Sequence, residues 1–463
     1  MAEKLTNEQQ AAVDSRERSL LVSAAAGSGK TKVLVERLFS YVEREGANLD
    51  DFLIITYTRA AASELRGKIA KALTERMERD PGNYHLRQQM LRVYRADIKT
   101  VDAFCTALLR ENCHLLGEDA RGHALRPDFR VLDENEAQVL RERVLARTLD
   151  DFYDCLTPGG TLLADTLGAG RDDSALEDLV LELHAKLQAQ PYEDKWLEAQ
   201  RAFWRAVPDK IEDTPYGKIL LNEVRRKARH CKNLLQRAAQ EMCANDALNQ
   251  KYAPAFLDAS YQLEALEGKT AEGWDAARGV TIAFPRLAAV KDSDGGEMKA
   301  RMKSLWDNCK ETVKGFAEIF SASSDEAVED LRTMAPAMLA LIDLTADFSR
   351  RYNEEKRRRN SADFSDQEHE AIRLLIGEDG APTELARIVS ARYREIMVDE
   401  YQDTNEVQNR IFDAISCKGE NLFTVGDVKQ SIYRFRLADP RIFLQHYNTC
   451  LLYTSDAADD SLR

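Results

Sequence analysis

The hydrophobic pattern of the chain changes twice along its length. Short apolar or β-branched runs come first: Leu20, Leu21 and Val22, then residues 52–58 (FLIITYT), then residues 98–105 (IKTVDAFC). Each is followed by a stretch with helical spacing: residues 31–45, the segment RAAASELRGKIAKAL from Arg59, and FCTALLRENCHLL from Phe104. Residues 5–13 (LTNEQQAAV) precede the first run as a helix that Thr6 can cap, which brings Gln9 near the loop after that run. Continuous apolar runs suit central parallel strands covered on both faces. The order therefore predicts an α/β sheet over the first ~120 residues.

From about 130 to 360 the chain is rich in Ala, Leu, Glu, Arg and Lys and reads as helical throughout, with residues 280–284 (VTIAF) a weak strand candidate. DGGE (294–297) and SASSDE (321–326) mark loops. Two basic stretches occur, at 224–232 and 350–360, and the first reads as a solvated helix face. The α/β texture returns at 394–402 (REIMVDEYQ) and 421–436 (NLFTVGDVKQSIYRFR). The expected architecture is α/β: a parallel sheet with flanking helices, in two parts (1–125 and 361–449), interrupted by a large all-helical insertion (126–360). Residues 450–463, beginning CLLYTSDAADD, match a translated sequencing-library adapter and are expected to be a non-native tail on a truncated reading frame.

Composition narrows the class. A chain of 463 residues exceeds one ordinary core. No run approaches the ~18 apolar residues of a membrane helix, so no membrane association is expected. The eight cysteines are scattered without a C-x-x-C pair, which leaves metal clusters unsupported and fits reduced thiols of the cytoplasm. The net charge of −14 argues weakly against nucleic-acid binding, although DNA needs only a local basic stripe.

Candidate chemistry centres on LLVSAAAGSGKT (20–31). It reads as strand, phosphate-binding loop and helix start. Ala24, Ala25, Ala26, Gly27, Ser28 and Gly29 would turn backbone N–H groups towards phosphates, Lys30 would reach the β- and γ-phosphates, and the Thr31 hydroxyl would hold Mg²⁺. Ala24 stands where the usual pattern has its first glycine. Asp399 and Glu400 close an apolar strand at the edge where open α/β sheets bind ligands. There Asp399 would hold Mg²⁺ and Glu400 would take a proton from attacking water. Gln430 can sense a γ-phosphate. Tyr433 and Phe435 can stack on unpaired bases at ~1–3 kcal/mol each. Arg436 can pair with the acids or a DNA phosphate. The plainer reading makes Phe435 core and Arg436 a surface charge. Thr58 with Arg59, and Thr100 with Asp102, stand at strand ends where DNA phosphates can be held.

Taken in order, these segments resemble superfamily-one helicases of the UvrD/Rep/PcrA type. LTNEQQAAV resembles the Q motif, in which Gln9 would read adenine. AAAGSGKT resembles motif I, TYTRAAASELR motif Ia, TVDAFC the next DNA-contact motif, VDEYQD motif II and VGDVKQSIYRFR motif III. SAAAGSGKT, Asp102 where UvrD-like chains carry His, DFSDQEH (363–369) and KQSIYRFRLADPRIF (429–443) are most similar to the AddA family of helicase-nuclease subunits, with RecB close behind. The resemblance implies a RecA-like P-loop fold whose insertion faces single-stranded DNA. It implies ATP and Mg²⁺, single- and double-stranded DNA, an AddB-like partner, a cytoplasmic setting and 3′-to-5′ unwinding in double-strand break repair and recombination. It also implies that the second RecA-like domain and the nuclease lie beyond this chain. The alternatives are a UvrD-, PcrA-, Rep- or RecB-type helicase, or, for the fragment itself, an ATP- and single-strand-binding module with little turnover.

Overall fold

A computed structural model describes residues 5–16, 19–25, 27–118, 121–167, 174–417, 419–427, 429, 439–449 and 451–454. Ala26, Gln430, Tyr433, Phe435 and Arg436 lie outside the described residues. The chain forms two compact units, one of Met1–Cys155, Gly168–Leu197 and Asp343–Arg463, the other of Leu156–Leu167 and Glu198–Ile342.

The first unit holds the strands: β1 (Ser19–Ser23), β2 (Phe52–Thr56), β3 (Asp97–Thr100), β4 (Arg130–Val131), β5 (Ser361–Ala362), β6 (Glu395–Val398), β7 (Leu422–Gly426) and β8 (Leu451–Thr454). Six form one sheet in the order β3-β2-β6-β7-β1-β8, and every pairing is parallel. The short β4 and β5 pair separately. β8 lies in the stretch read as adapter-derived, and its backbone pairs with β1 from Leu20↔Leu451 to Ser23↔Thr454.

Burial on both faces explains the unbroken apolar runs. Leu20, Val22, Phe52, Ile54, Met397, Phe423 and Val425 face one core. Leu21, Leu53, Ile55, Ile396, Val398 and Leu422 alternate with them into the other. The first core is covered by α1 (Asn7–Asp14), α2 (Lys30–Glu45), α3 (Arg59–Arg79) and α4 (Tyr84–Arg92), through Ala12, Leu34, Leu65 and Leu86 among others. The second is covered by α5 (Val101–Asn112) and the helices Phe364–Leu375 and Glu406–Ile415. α5 begins three residues earlier than its apolar spacing suggests, because Thr100 caps it by accepting from Ala103 N.

A buried ion pair ties α2 to β6. The Arg37 guanidinium is fully buried and donates to both Glu395 oxygens, Nε to Oε2 at 2.9 Å and Nη2 to Oε1 at 2.5 Å. Its Nη1 donates to the carbonyls of Ala12 at 2.6 Å and Ser15 at 2.7 Å, so α1 is gathered into the same knot.

The described part of the second unit is helical. Pro215–Met242, Ala253–Lys269 and Asp292–Ile319 supply much of its core, with Phe256 stacked on Trp306 at 4.8 Å. Val280–Phe284 form no strand, because no strand partner exists there among the described residues. Phe284 instead meets Trp306 edge-on at 4.7 Å. At DGGE the helical segment Asp292–Ile319 is broken by a kink at Gly296, φ 46° and ψ −134°, which separates two helices. In the basic stretch at 224–232, Glu223 and Glu267 pair with Arg226, Lys227, Arg229 and Lys232. In the stretch at 350–360, Glu354, Glu355 and Glu370 pair with Arg350, Arg358, Arg359 and Arg357. Neither offers a bare cationic stripe.

Breaking a buried pair from one side leaves a desolvated charge and costs about 3–5 kcal/mol. Arg37→Met is therefore expected to raise amide hydrogen exchange in β1 and β6 sharply. Adding Glu395→Met is expected to recover most of the protection. Equal exchange in the single variant and the wild type would contradict the role given to the pair.

Candidate nucleotide and nucleic-acid site

The phosphate loop leaves β1 and enters α2. Its left-handed positions are Gly27 (φ 76°) and Gly29 (φ 85°). Ala24 keeps ordinary backbone and continues the sheet through Ala24 N to Gly426 O at 3.1 Å, so alanine there carries no strain. Gly29 caps α2, and Lys30 and Thr31 are its first residues, at the positive end of a 16-residue helix. Ser28 Oγ is buried without a partner among the described residues.

α1 sets Gln9 against this loop. Thr6 and Gln9 form a reciprocal cap, and Gln9 Nε2 donates to Ser28 O at 2.7 Å. Gln9, Ala12, Val22, Ala24, Ser28, Lys30 and Val33 line a narrow pocket beside the loop.

β6 carries the acids to the same edge. Lys30 Nζ lies 3.2 Å from Glu400 Oε2, across 370 positions of sequence. Asp399 is buried, and burial followed by the Glu400 charge pushes its carboxyl up to about 6. A desolvated carboxylate beside a second acid, with the Thr31 hydroxyl at the start of α2, is a donor set of hard oxygens that fits Mg²⁺. Glu400 itself has left-handed backbone, φ 53° and ψ 41°, an uncommon state for a non-glycine residue.

Gln402, which the sequence reading did not single out, holds this arrangement. Its Nε2 donates to Glu400 Oε2 at 2.8 Å and its Oε1 accepts from Asp427 N at 2.9 Å. Gly426 must be glycine to allow this, since a Cβ would lie 2.6 Å from Gln402 Oε1 and 2.8 Å from Phe443. The end of β7 is thus wired to Glu400 through one amide.

The four remaining described candidates share a second place. Thr58, Arg59, Thr100 and Asp102 line a cleft of about 1190 Å³. Both hydroxyls are already helix caps, Thr58 Oγ accepting from Ala61 N at 3.0 Å and Thr100 Oγ from Ala103 N at 3.2 Å. The cleft edge is therefore made of two helix N-termini. Tyr57, Glu368, Asp403 and Gln408 also line it. Tyr57 hydroxyl and Thr404 Oγ are 2.5 Å apart, joining the β2 end of the cleft to the turn that follows Glu400.

Glu368 belongs to DFSDQEH, a motif noted for resemblance alone. It accepts from Gln408 Nε2 at 2.7 Å, and burial pushes its carboxyl up to about 7.

A glycine loop entering a helix, with an Asp-Glu pair delivered opposite it by a parallel strand, defines a P-loop nucleotide-binding protein. The chain belongs to the UvrD/REP helicase N-terminal domain family, which matches residues 5–450. It is 34% identical over 465 residues to the A-type "ATP-dependent helicase/nuclease" subunit of Ruminiclostridium cellulolyticum, covering 96% of this chain and 36% of that protein. Proteins of the same description from Acetivibrio thermocellus and Desulfitobacterium hafniense are 35% and 38% identical, covering 97% and 96% of this chain and 36% and 33% of their own lengths. The chain spans about a third of the length of these curated relatives.

The raised Glu368 carboxyl makes a pH prediction. Folding keeps its proton on while the unfolded chain, with an ordinary value of 4.5, has lost it. The wild type therefore loses stability as pH climbs from about 4.5 to about 7, and Glu368→Gln does not. Thermal unfolding of both proteins at pH 5 and pH 8 is expected to show the variant gaining on the wild type at the higher pH. A pH-independent difference would mean that Glu368 is ionised in the fold.

Proposed function

We propose that this chain is the ATP-binding, single-strand-binding part of an ATP-dependent DNA helicase subunit. The whole protein would move 3′ to 5′ within a cytoplasmic helicase-nuclease that processes double-strand breaks for recombination with an AddB-like partner. The observation that carries the reading is the meeting of Lys30 and Glu400 at 3.2 Å beside the helix-capping loop. Family membership and relatives described as helicase/nuclease subunits support it. Among the described residues no helix is long and apolar enough to cross a membrane.

On this reading residues 1–125 and 361–449 form the RecA-like domain and residues 126–360 are a helical insertion over single-stranded DNA. Gln9 reads the adenine edge. The N–H groups from Ala24 to Gly29 and the Lys30 ammonium hold the phosphates, and Lys30 leaves Glu400 to do so. Thr31 and Asp399 would hold Mg²⁺, which supplies charge neutralisation at the β- and γ-phosphates. Freed from Lys30, Glu400 takes the proton of the attacking water. Gln402 keeps that carboxylate aimed. Gln430 is assigned to γ-phosphate sensing and Tyr433, Phe435 and Arg436 to DNA. Thr58, Arg59, Thr100 and Asp102 seat the strand's backbone at the two helix N-termini.

Two substitutions test this. Lys30→Ala is expected to abolish nucleotide binding, read by fluorescent ATP-analogue titration. Glu400→Gln is expected to retain it in this chain and, in the full-length protein, to lower single-strand-stimulated hydrolysis by about 10²–10⁴-fold. Unchanged affinity in the first, or wild-type hydrolysis in the second, refutes the assignment. Hydrolysis with no response to DNA points to a P-loop ATPase of another kind.

A further inference from the structure

His369 ends the DFSDQEH motif on the helix Phe364–Leu375, whose Phe364, Ser365, Gln367 and Glu368 form one wall of the cleft. Ala185, Gln188 and Ala189, at the end of the helix Ser174–Gln188, form another stretch of wall. His369 joins the two. Its Nε2 lies 3.0 Å from the carbonyl oxygen of Gln190, the residue after Ala189. Its Nδ1 lies 2.9 Å from the carbonyl oxygen of Ser365, one turn back on its own helix. Carbonyl oxygens only accept. A neutral imidazole has one N–H, so it serves one of these oxygens and turns a lone pair on the other, whereas the imidazolium donates to both. The Ser365 hydroxyl, which could donate to a bare Nδ1, is farther away at 3.3 Å.

The surroundings supply a counter-charge. In the segment after Gln190, Glu193 Oε1 lies 3.5 Å from Nε2, and the His369 side chain is only 18% exposed. Asp194 and Lys195 line the same cavity as His369, with the Lys195 ammonium 4.7 Å over the Tyr192 ring. On the long helix Ser324–Arg358, Lys356 is held by Asp363 at 2.9 Å and Asp366 at 2.7 Å, and Arg357 donates to Glu370. On the helix Ser174–Gln188, burial and then the Lys356 charge hold the His184 ring down at about 3, so it is neutral. On the helix of His369 itself, Arg373 donates to Glu370 at 2.8 Å, and burial pushes the Glu368 carboxyl up to about 7. The cations around His369 are thus engaged elsewhere, and Glu193 faces it directly. Burial pushes the Glu193 carboxyl up, against the pull of His369 and Lys356. Burial also opposes the charge on His369, yet Glu193, the two carbonyls and Glu368 together hold the ring above its ordinary 6.5.

We propose that His369 is a positioning residue: as an imidazolium it clasps the helix Phe364–Leu375 to the turn at Gln190, and so holds two walls of the cleft at the spacing that takes single-stranded DNA. The inference rests on the DNA-binding reading above and deepens it. His369 lines a neighbouring cavity of about 530 Å³ and not the cleft, so it acts through the walls and not by touching the strand. Losing its proton leaves a lone pair against the oxygen of Ser365 or Gln190 and opens the clasp on that side. The folded ring binds its proton more tightly than an ordinary histidine. The clasp is therefore complete below pH 6.5 and is lost as pH rises through the raised value.

The test pairs a spectrum with a binding profile. In protein with isotope-labelled histidine rings, the His369 nitrogen signals are identified by their loss in His369→Gln. At pH 6 both nitrogens are expected to be protonated, and a neutral tautomer there overturns the clasp. Fluorescence anisotropy with labelled oligothymidine is expected to show wild-type affinity falling by about threefold to tenfold from pH 6 to pH 9, the weight of one hydrogen bond. His369→Gln keeps one donor for Gln190 and cannot titrate. It is expected to bind at every pH about as weakly as the wild type does at pH 9, with unchanged affinity for a fluorescent ATP analogue. Glu193→Gln removes the counter-charge and is expected to move the fall to lower pH. The same profile in the wild type and in either variant overturns the link to the cleft while leaving DNA binding intact. An imidazolium spectrum with no DNA binding at any pH removes the DNA reading and the positioning role with it. The spectrum and Glu193→Gln decide the matter even if His369→Gln does not fold.

Discussion

All six strands of the main sheet run the same way, and the rest of the site depends on that constraint. Parallel pairing puts every strand's carboxyl end on one edge, so the residues leaving β1, β2, β3, β6 and β7 gather there. β6 lies between β2 and β7, which returns the chain to this edge at Asp399 after almost four hundred residues. Register is held at both ends of the strand. Arg37 grips Glu395 at its start, and Lys30 meets Glu400 just past its finish. Both cations lie on α2, two turns apart, so one helix measures the strand beside it. A slip of one residue would turn Glu395 out of its buried pocket and exchange the faces of Met397 and Val398.

Glu400 stands where two chains of contact meet. Its left-handed backbone turns the chain sharply into the short turn Tyr401–Asp403. Strain of about 1–3 kcal/mol at such a position persists only where neighbours over-determine it. Here Gln402 ties the carboxylate to the end of β7, and Thr404 ties the turn to Tyr57 on the wall of the cleft. Glu400 and the wall of the proposed DNA cleft are therefore joined by one short turn, which Gln402 anchors on one side and Thr404 on the other. That is a positional basis for coupling two sites without invoking any distant relay.

Much of this is legible in the sequence because local chemistry and tertiary role agree. A phosphate loop needs its glycines and its Lys-Thr whatever surrounds it. Strands buried on both faces announce themselves as unbroken apolar runs. The Thr6 cap and the placement of Gln9 beside the loop follow from a short-range pattern. The features that sequence alone conceals depend on partners far away along the chain. Arg37 looks like a surface charge on a helix until Glu395 arrives opposite it. Gln402 looks like a polar turn residue until Gly426 makes room for its amide. Val280–Phe284 has strand-like composition, but strands need neighbours, and its aromatic ring found a tryptophan in a helical core instead. Thr58 and Thr100 read as phosphate contacts from their place at strand ends, and the caps their oxygens accept are visible only in the fold.

That last point changes how the cleft would grip a polyanion. Arg59 and Arg110 line it, but so do Asp102, Asp133, Glu134, Glu368 and Asp403. A surface relying on side-chain cations would release counterions and hold DNA tightly in a salt-dependent way. This one has few cations, and the long basic-looking stretches elsewhere are neutralised by their own acids. On the proposed reading its attraction for DNA would draw on the N–H groups at the starts of α3 and α5 as well as on Arg59 and Arg110. The burial that keeps Glu368 from ionising readily removes part of the repulsion. A grip built from partial charges and stacking is shallow at each nucleotide. A motor that must let go of its track at every step needs such a grip, which is why an acidic chain, at net charge −14, is no obstacle to the reading.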